Sequence, residues 1–170
     1  MKTKILILLT LFLTTTIYAQ EEVKKLANID APYYNIDKDS LAINGYDPTE
    51  YFLSNKAQKG SNKIQFKYKG ATYNFVNEKN KTLFKENPDK YLPQFGGYCA
   101  YGIGMKYGDG LNGNPPGKYP VNPKTFKIID NRLYLFYNDN GYNFLKVWES
   151  DEKENLERAN QRWKDINDKK

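Results

Sequence analysis

The chain contains a single cysteine, Cys99, and no histidine among its 170 residues. One cysteine cannot form an intramolecular disulfide, so the fold has to be stable on its hydrophobic core alone. The same two counts exclude Ser-His-Asp and Cys-His catalysis within the chain, a four-ligand Cys/His zinc site and a dithiol redox motif. Aromatic residues make up 15% of the chain, and each buried ring removes ~150–250 Å² from water. A core built largely on aromatic side chains is therefore expected.

The first residues predict export. A basic start precedes an apolar run over residues 5–13, and a small residue, Ala19, precedes Gln20. This pattern is typical of a secretory signal peptide, so we predict one over residues 1–19 and a periplasmic or secreted location. Because the apolar run is shorter than the ~20 residues that a membrane span needs, we expect no stable membrane insertion after cleavage.

The charge does not indicate a nucleic-acid partner. The formal net charge is +6, and two of the cations, Lys2 and Lys4, lie in the predicted signal peptide. The other lysines are scattered among acidic residues, whereas nucleic-acid binding favours a clustered basic face. We interpret the surplus as a solvated surface and predict no nucleic-acid partner.

Local patterns predict two hairpins. Residues 64–76 and residues 124–138 alternate apolar and polar side chains on either side of a turn, which is typical of antiparallel strands. The expected turns are Gly70-Ala71 in the first hairpin and Asp130-Asn131 in the second.

Several helices and one long loop complete the pattern. A helix start is marked by an N-cap residue or by an apolar face with a spacing of three or four, and such starts occur at Asp47, Asn77, Phe144 and Ser150. Residues 105–123 are rich in glycine and proline and predict a loop without regular structure. Residues 20–40 are predicted to form a polar N-terminal lead-in.

The order of these motifs resembles exported single-domain proteins of the YHS family. The resemblance is carried by "INGYDPTEYF", a hairpin, "LFKENPDKYLPQFGGYCAYG" and "FKIIDNRLYLFYN". It implies a YHS-like domain over residues 41–167 with an α+β fold, in which a small twisted antiparallel sheet built from hairpins packs against several helices. It also implies no enzymatic reaction, since YHS domains occur in metal-handling proteins and are described as heavy-metal binders.

Cys99 and Met105 are the candidate metal ligands. Thiolate and thioether groups suit a soft ion such as copper in the Cu(I) state, and Gly102 and Gly104 could let the chain fold Met105 back towards Cys99. The alternative is that both are apolar packing residues. A third interpretation makes Cys99 a reactive thiol, which would need a nearby cation or helix N-terminus to lower its pKa.

Four further residues are candidates for ligand binding. Asp47 is either an N-cap before Pro48 or a carboxylate that faces a pocket beside Tyr46 and Tyr51, where it could hold a cation or a polar ligand. Tyr98 and Tyr101, on either side of the cysteine, either line a pocket or fill the core.

Three functions are compatible with these residues. The first is a non-enzymatic module that binds a metal ion or a small ligand near Cys99. The alternatives are a redox protein that uses Cys99 as its reactive thiol and a domain that binds another protein of the cell envelope.

Overall fold

The structure is a computed structural model of the chain, and it describes residues 32–168. The predicted signal peptide, residues 1–19, and residues 20–31 of the predicted lead-in lie outside the described residues. No helix within the described range is long and apolar enough to cross a membrane.

The described residues form an α+β fold, as expected. The α-helices are α1 Glu50–Leu53, α2 Glu78–Glu86, α3 Pro88–Tyr91, α4 Ala100–Gly104, α5 Phe144–Glu149 and α6 Glu152–Asn167. The strands are β1 Ser61–Tyr68, β2 Ala71–Phe75, β3 Asn122–Ile129, β4 Arg132–Phe136, β5 Asn138–Asp139 and β6 Tyr142–Asn143. Three short 3-10 turns lie at Ile43–Gly45, Gln94–Gly97 and Leu111–Gly113.

Both predicted hairpins are present. β1 pairs with β2 and β3 pairs with β4, each pair antiparallel and two-stranded, and the short β5 pairs with β6 in the same way. Asp130 and Asn131 have φ values of 49° and 58°, and two successive left-handed residues suit the right-handed twist of a hairpin. The first turn lies at Lys69 and Gly70, one residue earlier than predicted.

Strand β4 separates two hydrophobic clusters. Leu133 and Leu135 belong to the cluster formed by the first hairpin with α1, α2 and α3. Tyr134 and Phe136 belong to the cluster formed with α4, α5 and α6. Since successive side chains of a strand point to opposite faces, β4 contributes to both clusters and is almost fully buried.

Two predicted helix starts have different outcomes. Asn77 caps α2 as expected, because its Oδ1 accepts a hydrogen bond from Asn80 N at 2.8 Å. The prediction for Ser150 is wrong: Ser150 ends α5, where its Oγ donates to Val147 O at 2.7 Å. The residue before α6 is Asp151, and its side chain makes no capping bond.

Helix α4 was not predicted, because its sequence, Ala-Tyr-Gly-Ile-Gly, has low helix propensity. Its glycines permit close packing instead. A β-carbon on Gly104 would lie 2.4 Å from Asn155 O and 3.1 Å from Ala159 Cβ, both on α6. Arg158 of α6 donates to Gly104 O at 2.9 Å and so satisfies a carbonyl at the end of α4.

We predict that Gly104→Ala destabilises the protein by about 1–3 kcal/mol, although alanine is the better helix former. The added methyl group has to displace the backbone of α6, which cannot move as a flexible side chain would. Chemical denaturation measures the difference in the free energy of unfolding between the two proteins, and we expect the m-value to be unchanged.

Gly70→Ala is the control for this prediction. Gly70 has a φ of 81° but nothing within 4 Å of an added β-carbon, so alanine there meets only the left-handed penalty of about 1–2 kcal/mol. A neutral or stabilising effect of Gly104→Ala would contradict the close contact between α4 and α6.

Candidate functional site

The described surface contains a polar cleft of about 440 Å³. This volume lies within the ~300–1,000 Å³ that small-molecule sites occupy. Two parts of the chain form it. The N-terminal lining consists of Asn44, Tyr46 and Lys59, and the C-terminal lining consists of residues 120–123 and 137–139.

The N-terminal lining begins with a strained turn. Ile43, Asn44 and Gly45 have successive φ values of 51°, 50° and 76°. A left-handed conformation is unusual for a branched residue such as isoleucine, and strain of this kind costs ~1–3 kcal/mol per residue. Ile43 is buried, whereas Asn44 is exposed. The turn therefore holds the Asn44 amide at the cleft while its apolar neighbour stays in the core.

Tyr46 and Lys59 form the rest of the N-terminal lining. They pair in an antiparallel bridge, and Lys59 Nζ lies 5.4 Å from the centroid of the Tyr46 ring. A cation–π contact at an exposed position contributes ~0.5–1 kcal/mol. Gly60 N donates to Gly45 O at 2.9 Å, which ties this segment to the strained turn.

Amide side chains organise the C-terminal lining. Asn122 Nδ2 donates to Asn138 O at 3.1 Å, and Asn138 Nδ2 donates to Thr125 Oγ1 at 2.9 Å. The carboxylate of Asp139 accepts hydrogen bonds from the backbone and side chain of Asn140, at 2.9 and 3.1 Å. These bonds fix the lining before any ligand arrives, which lowers the entropy cost of binding.

Cys99 does not line the cleft, but its hydrogen bonds connect the two segments of the C-terminal lining. Its backbone N donates to Tyr119 O at 3.0 Å, directly before residues 120–123. Its Sγ accepts from Tyr137 N at 3.2 Å and from Gly102 N at 3.4 Å. The second of these bonds makes Cys99 the N-cap of α4. The cysteine is fully buried and therefore supports the cleft without lining it.

The environment of Cys99 keeps its thiol protonated. Burial raises the pKa of the Cys99 thiol to about 11, although the N–H groups of Tyr137 and Gly102 act in the opposite direction. Thiols react as thiolates, so these contacts do not favour a reactive thiol.

Helix α4 separates the two candidate metal ligands, because Cys99 lies at its N-cap and Met105 at its C-cap. Six helical residues correspond to roughly 9 Å of axial rise. Met105 is buried and packs against Gly110, where an added β-carbon would lie 3.0 Å from Met105 Cε. Across residues 32–168, no group of three or more His, Cys, Asp or Glu side chains could hold a metal ion.

Asp47 lies behind the N-terminal lining. Its fully buried carboxylate accepts four hydrogen bonds, from Thr49 N at 2.8 Å, Thr49 Oγ1 at 2.7 Å, Val76 N at 2.8 Å and Asn80 Nδ2 at 2.8 Å. It is not the N-cap of α1, which follows Thr49. Instead, Asp47 joins the segment after Tyr46 to the end of β2 and to α2, since buried carboxylates require such donors.

Tyr51 also supports the cleft. The side chain is buried, and its hydroxyl donates to Pro123 O at 2.9 Å. Burial raises the pKa of the Tyr51 hydroxyl far above its usual range, so it acts as a neutral donor. This bond links α1 to the C-terminal lining.

Tyr98 and Tyr101 belong to the core on the side of α6. Tyr98 donates through its hydroxyl to Pro32 O at 2.9 Å, and its ring lies 5.7 Å from Nζ of the buried Lys118. Tyr101 packs edge-on against Phe144 at 5.0 Å. The structure thus places Asp47, Tyr51 and Cys99 behind the cleft, and Tyr98, Tyr101 and Met105 away from its lining.

Apart from Tyr46, which was expected beside a pocket, the residues that line the cleft were not predicted from the sequence. The Asn44-Gly45 pair carried one signal, because asparagine and glycine tolerate the left-handed conformation best. Asn122 and Asn138 carried an indirect signal, because a hairpin with its turn at Asp130-Asn131 brings its two outer ends together.

Comparison of the chain with protein-family models, with curated proteins and with solved structures finds no match. The YHS resemblance therefore stays a prediction from the motifs.

We predict that the native protein at pH 8 protects Cys99 from iodoacetamide. A thiol with a pKa near 11 is only about 0.1% ionised at that pH, and it is buried as well. Labelling should therefore follow the unfolding rate and accelerate with denaturant, as measured by mass spectrometry over time.

Lys56→Cys supplies the internal control, because position 56 is exposed and its thiol should react at the rate of a free thiol. If Cys99 reacted as fast as the thiol at position 56 under native conditions, the buried environment described above would be wrong.

Proposed function

We propose that the protein is an exported YHS-type binding domain that holds a small polar ligand in the cleft. The observation that carries this proposal is the arrangement of the cleft: the exposed Asn44 amide and two half-buried tyrosines are supported by buried residues that are already hydrogen-bonded. Preformed concave sites with a few fixed polar groups are the usual form of a ligand site. In this proposal Cys99 is a positioning residue and does not touch the ligand.

Binding is favoured over catalysis by the chemistry of the lining. Asp139 is the only carboxylate among the lining residues, and both of its oxygens already accept hydrogen bonds from Asn140. The chain has no histidine to serve as a general base near neutral pH. The lining therefore supplies recognition groups but no activated acid, base or nucleophile.

The proposed export agrees with the state of the thiol. An oxidising compartment favours disulfide formation between accessible thiols. Cys99 is buried and its pKa is raised to about 11, so both access and thiolate formation are suppressed. A lone cysteine of this kind can persist outside the cytoplasm without forming mixed disulfides.

An envelope-protein interaction domain receives less support. The exposed large hydrophobic residues belong to separate segments of the chain and are Tyr33, Leu53, Tyr107, Tyr142 and Val147. Interaction surfaces favour contiguous apolar patches, whereas these residues lie in different helices, strands and loops.

The test is amide-detected NMR of the native protein with a panel of small polar probes: glucose, N-acetylglucosamine, acetate, inorganic phosphate and glycine betaine. At millimolar concentration, at least one probe should shift the amide signals of Asn44, Tyr46 and Asn138 together. Cu(I) added under reducing conditions is the opposing probe.

Asn44→Gly and Asn112→Gly are matched variants for this test. Both asparagines are exposed, both are left-handed at φ 50° and 57°, and both precede a glycine, so glycine removes the amide without strain. Only Asn44→Gly should weaken the response. A panel that leaves the cleft signals unmoved, or Cu(I) shifts confined to residues around Cys99, would overturn the proposal.

A further inference from the structure

We infer that the ligand of the cleft is a neutral saccharide, an inference that rests on the function proposed above. A saccharide presents hydroxyl groups that each donate and accept hydrogen bonds, together with C–H faces that are apolar. The cleft offers complementary groups, which are planar amides and tyrosine side chains.

The charge of the lining favours a neutral ligand. Lys59 and Asp139 are the charged lining residues, and their signs are opposite. Asp139 is held by Asn140, and the ammonium of Lys59 lies over the Tyr46 ring. A charged ligand would therefore meet no excess of the opposite charge and would lose its hydration without compensation.

Uncharged side chains supply much of the hydrogen-bonding capacity that is left in the cleft. Within the described residues, the side chains of Asn44, Tyr46 and Tyr137 make no hydrogen bond, whereas the Asn122 amide is used at both ends. An amide provides two donors and an acceptor in one plane, and each phenol provides one donor and an acceptor. This combination can bind adjacent hydroxyl groups, each of which needs a donor and an acceptor.

The two tyrosines also bring aromatic side chains to the lining of the cleft. Both residues are half-buried, and a tyrosine combines an apolar ring with a polar hydroxyl. The Tyr137 ring lies 5.4 Å from that of Phe144, and its backbone N is held by Cys99 Sγ at 3.2 Å. A ring held in this way binds at a lower entropy cost than a mobile one.

The experiment compares neutral and acidic oligosaccharides by the same NMR titration. The neutral probes are maltotriose and tri-N-acetylchitotriose, and the acidic probe is trigalacturonate, with inorganic phosphate as a second anion. We expect at least one neutral trisaccharide to bind at the cleft and both anions to bind at least tenfold more weakly.

Variants connect the binding to the named groups. Tyr137→Phe keeps the ring and removes one hydroxyl, so it should weaken the neutral trisaccharide about 3- to 10-fold, the usual contribution of one hydrogen bond. Lys56→Gln, at an exposed lysine outside the cleft, is the control and should change that affinity less than twofold. Lys59→Gln is measured against the two anions, to show whether any anion binding depends on the Lys59 charge.

The outcomes separate this inference from the proposed function. Cleft binding by an anion that depends on Lys59, or by glycine betaine alone, would overturn the saccharide assignment and leave the cleft as the ligand site. Failure of every saccharide and of every small polar probe would overturn both.

Discussion

The contacts of Cys99 hold together the part of the molecule on which the cleft depends. Cys99 hydrogen-bonds to three segments of the chain. They are Tyr119, directly before residues 120–123, Tyr137, directly after β4, and Gly102 in the first turn of α4. Cys99 also bridges to Leu135 of β4, the strand that contributes to both hydrophobic clusters. A small side chain with a weak acceptor suits this position, because the sulfur has to satisfy buried N–H groups in a tightly packed interior.

A division between supporting and lining residues follows from this arrangement. Asp47, Tyr51 and Cys99 are buried, and the side chain of each hydrogen-bonds to a backbone group in a distant segment of the chain. Asn44 and Tyr46 line the cleft, and their side chains make no hydrogen bond to any residue in the range 32–168. The strain of the Ile43–Gly45 turn is tolerated because a buried isoleucine and several backbone bonds determine its geometry.

Local signals predicted the local structure. The hairpin at Asp130-Asn131 and the cap at Asn77 follow from residues within a few positions of each other, and both are present. Helix α4 was missed because its stability comes from packing against α6, which outweighs the low propensity of glycine.

The site depended on contacts that no short window contains. Asp47 has the type and spacing of an N-cap, yet its carboxylate binds groups 29 and 33 positions away. Cys99 is a candidate site residue because it is the single cysteine of the chain. Its contact with Tyr137 spans 38 positions. The composition was enough to exclude most enzymatic uses of the thiol, but the three-dimensional pairing was needed to identify its supporting role.

Hydrogen exchange at the Tyr137 amide tests that role most directly. Cys99→Ala removes the acceptor, so the Tyr137 amide should exchange about tenfold faster, beyond any change in global stability, as expected from the loss of one hydrogen bond. Cys99→Ser keeps an acceptor at the same position and should retain most of the protection. Equal protection of Tyr137 in the native protein and in Cys99→Ala would contradict the claim that Cys99 positions the cleft.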